Sequence, residues 1–215
     1  EGFYNSWVAD DMLEKLNNIG GCHTKNDFIN SSAEWVQPIS QNYRNIKIHE
    51  CPPNGQGIVA LIILGILEYF NVKSMSKNDY IHLFCEAVKM GYFLRDQYLA
   101  DTHYNKLSVT SFLSKKSLEH YASKIDFKRA KVYEKSLFPD HPDTIYLTVR
   151  DKNGMTISFI NSLFDPFGSG ITAPKSGILF HCRGRGFNLI EGHPNKLCPN
   201  KRPLHTIIPA MISNK

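Results

Sequence analysis

FPDHPDTIYLTVRDKNGMTISFINS, residues 138–162, changes character at Thr144. Up to that point the chain is a loop broken by Pro139 and Pro142. From Thr144 onward, TIYLTV and MTISFI are β-branched and aromatic runs on either side of DKNG, which reads as a β-hairpin. Asn153-Gly154 is the pair that favours positive φ angles in a tight turn. Thr144 therefore stands where a proline-bordered loop becomes a strand.

Upstream of the hairpin the periodicity is helical. Trp7, Met12, Leu13 and Leu16 recur at roughly helical spacing over residues 7–16, and Gly20-Gly21 ends that helix. Thr24 and Asp27 stand at capping-box spacing. Residues 35–50 alternate loosely around Pro38 and read as extended. Residues 58–70 are almost uniformly apolar, the mark of a helix buried around most of its circumference. Over 79–98, Tyr80, Leu83, Phe84, Ala87, Val88, Gly91 and Leu94 recur at three and four, and a further helix is expected across 111–124.

Downstream, PFGSGITAP, GILFHC and LHTIIPAMI are short segments bounded by Gly or Pro and read as more strands. Helices followed by consecutive strands argue for an α+β fold in layers, not a parallel βαβ arrangement. The organisation expected is a mainly helical part, 1–143, and a mainly β part, 144–215.

At 215 residues and 42% apolar composition the chain can bury one ordinary core or two small ones. The formal charge of +5 is mild, but it is unevenly spread: from Lys175 to Lys215 seven basic residues face one acid, Glu191. Such a stretch suits phosphates, acidic lipids, a carboxylate-bearing substrate, an acidic part of the same fold, or simply a solvated face. Cys22, Cys51, Cys85, Cys182 and Cys198 are odd in number with no C-x-x-C pair, so buried free thiols are expected. The longest apolar run, 57–67, falls short of the roughly 20 residues that a bilayer requires, and no membrane span is expected.

A threonine hydroxyl is a poor nucleophile without a base beside it. One solution uses the α-amine of the same residue once cutting has made it a chain terminus. An α-amine titrates at about 7.7–8, so part of it is free at neutral pH to take the hydroxyl proton. A loop running into a strand is a sensible place for that cut, because the sheet holds the new terminus. Strand-initial threonines are also common for purely structural reasons.

Other motifs carry less. PPNGQG before the 58–70 helix lacks the Lys-Ser/Thr pair of a P-loop and reads as a structural entry to that helix. His181, Cys182, His193 and Cys198 have zinc-compatible chemistry but follow no finger or knuckle spacing, so no metal is expected. RGRGF is a single Arg-Gly element, and no nucleic-acid partner is expected from it.

The stretch from DTIYLTVRDKNG to GIL, followed by GFNLIEGHPNKLCPNKRPLHTIIPAM, resembles the start of the small subunit of γ-glutamyltransferases (glutathione hydrolases), within the N-terminal nucleophile hydrolase superfamily. GFYNSWVADDML, GGCHTKNDF, YRNIKIHECPPNGQGIVALIILGILEYF and the 79–98 helix resemble the last part of the large subunit. The resemblance implies a four-layer αββα sandwich, of which 1–143 supplies large-subunit helices and 144–215 small-subunit strands. It also implies a proenzyme that cuts itself between Asp143 and Thr144. Thr144 would then be nucleophile and base toward a γ-glutamyl or related amide such as glutathione, with water, an amino acid or a peptide as acceptor. No cofactor is implied.

By the same resemblance Ser162 is the hydroxyl that supports the nucleophile, where threonine is usual. Three positions depart from the pattern: Phe164 stands for an asparagine, Gly186 for the aspartate that holds the substrate ammonium, and His205-Thr206 for two serines that hold the α-carboxylate. Thr206 keeps a hydroxyl. Arg183 offers a bidentate carboxylate contact in their place, or else makes a surface or intramolecular ion pair. The family's substrate-binding arginine and its oxyanion-forming glycine pair match nothing in residues 1–215, so further proenzyme segments are expected as partners. The alternative is an inactive remnant or binding protein that keeps the scaffold.

Overall fold

The computed structural model describes residues 2–104, 108–133 and 143–214. Its main core is helical. Helix α3 (Gly57–Leu67) carries Ile58, Ile62, Ile66 and Leu67 into the interior, against Leu83, Ala87, Met90 and Leu94 of α4 (Lys77–Tyr98). Gly91 permits the close approach of the two helices, since a Cβ there would lie 3.1 Å from Ile63. Helix α6 (Lys115–Ala122) closes the other side of α3, with Leu118 against Gly65. The 79–98 expectation holds in position but not in its whole face: Tyr80 and Phe84 are exposed, and Glu86 and Arg95 are buried. The single helix expected over 111–124 is broken into α5 (Val109–Phe112) and α6, because Ser114 caps a new start by accepting from the Ser117 amide.

Helix α1 (Trp7–Asn18) is capped by Ser6, and α2 (Lys25–Ile29) begins where the Thr24 amide and hydroxyl both donate to Asp27. Ala9 and Met12 pack with Phe28 and Ala173 in a satellite core, whereas Trp7 is exposed. Asp11, buried on α1, accepts from the Lys175 and Ser176 amides and the Ser176 hydroxyl, and so ties the C-terminal half to the first helix.

Residues 35–50 contain a hairpin, β1 (Ile39–Tyr43) and β2 (Ile46–Glu50), turned at Arg44 with φ 56°. The Thr144 hairpin forms as β3 (Asp143–Arg150) and β4 (Thr156–Phe164). Its turn differs from the tight two-residue form: of Asn153-Gly154 only Gly154 has positive φ, and the Asp151 carboxylate accepts from the Asn153 and Met155 amides. Ile145, Leu147, Val149, Ile157 and Phe159 leave one face of this hairpin apolar and exposed.

The further strands expected downstream are largely absent among the described residues. GILFHC makes one isolated bridge, Thr172 to Leu179, and its end turns into a 3-10 helix at Arg183–Gly186. Frequent glycines and prolines interrupt the ladder there. Only β5 (Met211–Asn214) is a strand, and it pairs antiparallel with β2, so the three-stranded sheet β1-β2-β5 joins the two halves of the chain. Helices and antiparallel strands together make an α+β fold. Among the described residues no helix is long and apolar enough to cross a membrane.

Candidate active site

The site starts from a register slip. Ile145 faces Asn161, but Asp143 faces Phe164, so the single residue Thr144 lies opposite two, Ser162 and Leu163. A bulge of this kind re-aims side chains at a strand end. Strand alternation puts Thr144 on the same face as Tyr146 and Thr148, and Ser162 on the same face as Ser158, which is the polar face of the hairpin. Thr144 itself is exposed.

The bulge ends at Phe164, which adopts φ 83° with its ring fully buried. A left-handed phenylalanine costs about 1–3 kcal/mol and persists only where surroundings over-determine it. Two contacts do so. The Phe164 amide donates to Ser162 Oγ at 3.0 Å, and the Arg183 guanidinium lies over the ring at 4.7 Å from its centre.

Arg183 joins the remaining residues. The Cys182 amide donates to the Leu163 carbonyl at 3.0 Å, which sets the 3-10 turn against the end of β4. From there Arg183 Nη2 reaches Ser162 Oγ at 2.9 Å and Nη1 reaches Thr206 Oγ1 at 3.0 Å. Arg183 is 5% exposed, makes no ion pair among the described residues, and burial pulls its guanidinium below the ordinary arginine value. Of the alternatives considered from sequence, a surface position does not hold, and no ion pair forms among the described residues. Arg183 is held off the surface by its contact with the buried Phe164 ring and its bonds to Ser162 and Thr206.

Thr206 is held by the loop before α3. Asn54 Nδ2 donates to the Pro203 carbonyl, the Gln56 amide to the His205 carbonyl, and Gln56 Nε2 to the Thr206 carbonyl. Arg95 Nη1 in turn donates to Gln56 Oε1 at 3.1 Å. PPNGQG thus grips the Thr206 segment as well as leading into a helix.

Two imidazoles flank Arg183. The Arg183 amide donates to His181 Nδ1, so neutral His181 carries its proton on Nε2. Burial, then the charge of Arg183, holds His181 below its ordinary value. His205 is pushed down to about 4 by burial and by Arg183 and His181, and its Nδ1 is buried without a partner among the described residues. Sequence reasoning weighed His181 only as a metal ligand and named His205 and Phe164 only as departures from the family pattern, since their places beside Arg183 have no spacing signature.

The structure thus brings Ser162, Arg183 and Thr206 into direct contact and places Thr144 across the bulge from Ser162. Gly186 lies in the same 3-10 turn, where its carbonyl accepts from Asn195. Among the described residues no three His, Cys, Asp or Glu side chains gather as a metal site. His193 instead bonds the Asp96 carbonyl and Asn188. All five cysteines are unpaired, and Cys22, Cys85 and Cys198 are exposed instead of buried.

Comparison with known proteins finds relatives along nearly the whole chain. The glutathione hydrolase-like YwrD proenzyme of Bacillus subtilis is 35% identical over 98% of the chain and 40% of its own length. The oxamate amidohydrolase proenzyme of Klebsiella pneumoniae is 30% identical over 98% of the chain and 39% of its own. The crystal structure of a cephalosporin acylase from Bacillus halodurans superimposes with a TM-score of 0.87 at 35% identity, covering 99% of this chain and 38% of that one. The chain spans about two fifths of the length of the curated relatives it matches. The family model described as gamma-glutamyltranspeptidase matches residues 1–215 throughout, and the chain belongs to that family.

Proposed function

We propose that this chain carries the nucleophile of an amidase that matures by cutting itself between Asp143 and Thr144. The observation that carries the reading is the bulge that sets exposed Thr144 opposite Ser162, whose hydroxyl is fixed by Arg183 and the Phe164 amide. Thr144 Oγ1 attacks the Asp143 carbonyl carbon, the C–N bond breaks, and the chain is left as an ester. Breaking that C–N bond, with the hydroxyl proton passing to nitrogen, frees the Thr144 amine, and water then hydrolyses the ester to the Asp143 carboxylate and the Thr144 hydroxyl.

The freed amine then takes the hydroxyl proton as Thr144 attacks a substrate amide. The proton passes to the departing amine, and an acyl-threonine ester remains. Water completes hydrolysis; an amine acceptor completes transfer. The substrate class is a γ-glutamyl or related amide such as glutathione, with Arg183 and Thr206 as carboxylate contacts, since a planar guanidinium fork suits that group. No step calls on a metal or organic cofactor. The exposed apolar face of the β3-β4 hairpin supports a further reading, that other segments of the proenzyme pack there and supply oxyanion donors.

Thr144→Ala in the complete gene product tests the assignment. Both chain cleavage and amide hydrolysis are expected to disappear, whereas cleavage that persists in this variant removes Thr144 from the mechanism.

A further inference from the structure

Thr206 is 7% exposed, yet its backbone belongs to no strand, and its neighbour His205 makes an isolated bridge with Gly55. The position of this segment is set by the PPNGQG loop. The Gln56 amide donates to the His205 carbonyl and the His205 amide to the Asn54 carbonyl, both at 2.9 Å. Gln56 Nε2 donates to the Thr206 carbonyl at 3.0 Å. The first two bonds are made by the backbone and outlast a change of side chain at position 56; the third does not.

The far end of the Gln56 side chain is anchored. Its Oε1 accepts from Arg95 Nη1 at 3.1 Å. Arg95 is 7% exposed on α4, with Nε and Nη2 both 2.7 Å from Asp96 Oδ1 and its guanidinium 4.5 Å from the centre of the Tyr92 ring. A guanidinium paired and stacked in this way is a fixed point. A side-chain amide donates from nitrogen and accepts at oxygen, so one orientation of Gln56 serves Arg95 and the Thr206 carbonyl together. The line continues from Arg183 Nη1 to Thr206 Oγ1 at 3.0 Å and from Arg183 Nη2 to Ser162 Oγ at 2.9 Å. Four hydrogen bonds thus run from α4 to the hydroxyl that lies across the bulge from Thr144.

We propose that Gln56 is a positioning residue for the Thr144 reaction: it ties the Thr206 carbonyl to the fixed Arg95 guanidinium, and so sets the Thr206 hydroxyl where it turns Arg183 onto Ser162. The inference rests on the reading of Thr144 as nucleophile. A planar guanidinium presents its donors in a rigid fork, so the partner of Nη1 governs the aim of Nη2. When Thr206 drifts, Ser162 loses its fixed donor and the bulge loosens. Attack of Thr144 on the Asp143 carbonyl depends on near-attack geometry and slows accordingly.

Maturation of the complete gene product, followed by intact mass against time, reads this effect without a choice of substrate. Gln56→Met keeps the length of the side chain and removes both of its bonds. Cleavage before Thr144 is expected to slow by about 3- to 10-fold, the rate equivalent of a hydrogen bond. Gln56→Glu keeps an acceptor for Arg95 but turns a second acceptor toward the Thr206 carbonyl, and should be at least as slow. A residue that merely satisfied Arg95 would be replaced well by that carboxylate. Thr206→Val should slow maturation by itself, and adding Gln56→Met should slow it no further, because no hydroxyl is left to place. Any of these three single variants at the wild-type rate overturns the inference, as do losses that multiply in the double variant. Should Gln56→Met fail to fold, Gln56→Glu takes its place in the same cycle. A wild-type chain that is never cut before Thr144 refutes the nucleophile reading instead. The crystal structure of the Gln56 variant then decides the placement: Thr206 Oγ1 moved out of reach of Arg183 Nη1 upholds it, and an unchanged 3.0 Å contact overturns it.

Discussion

Arg183 Nη2 donates to Ser162 Oγ at 2.9 Å, and the same oxygen accepts from the Phe164 amide at 3.0 Å. One hydroxyl thus fixes the strand bulge, the left-handed Phe164 and the buried cation together. Ser162→Ala removes an acceptor from a charged donor, an interaction worth about 1.5–3 kcal/mol. Maturation before Thr144 should slow by about 10- to 100-fold, followed by intact mass against time. Ser162→Thr should restore most of the rate. An alanine variant that matures at the wild-type rate contradicts the role.

Packing of α3 against α6 depends on Gly65. A Cβ there would lie 2.7 Å from Leu118 Cδ1, closer than packed carbons approach. Gly65→Ala is expected to destabilise by about 1–3 kcal/mol, seen as a lower thermal midpoint. Gly65→Ala combined with Leu118→Ala should recover part of the loss from the clash while exposing the cost of the missing side chain.

Glu50 is buried, its Oε2 unpartnered among the described residues, beside Gly57 at the start of α3, and burial pushes its carboxyl up to about 7. Between an ordinary value of 4.5 and about 7 the folded protein holds a proton that the unfolded chain releases. Stability from this group is therefore present below pH 4.5 and falls as pH rises through that window. Glu50→Gln removes the titration. Its thermal midpoint should exceed the wild-type one by a margin small at pH 4.5 and largest above pH 7. A margin independent of pH contradicts this.

With His205 pushed down to about 4 and His181 lowered too, neither imidazole should titrate into activity near neutrality. kcat/KM should rise through a single ionisation at about 7.7–8, that of the Thr144 amine. His205→Asn should leave the inflection in place. An inflection between pH 6 and 7 that this variant removes would make His205 a base.

Much of this was legible in the sequence where local rules act alone. The Thr144 hairpin, the buried α3 and the long α4 follow from residue type and period, and the Thr24-Asp27 box from spacing. What failed depended on distant partners. GILFHC has strand composition, but its end is drawn into a turn by the Cys182 bond to Leu163, and the β5 pairing with β2 joins segments some 165 residues apart. The resemblance pointed to Thr144 and Ser162, which the register slip sets across from one another. The seating of Arg183 on Phe164 could not be read, because a ring contact and a positive φ leave no pattern in the letters.

The most direct test of the central claim is intact-mass analysis with N-terminal sequencing of the complete gene product after prolonged incubation. Two fragments, the second beginning at Thr144, are the predicted result. A chain that stays whole, or one cut at another bond, contradicts the account.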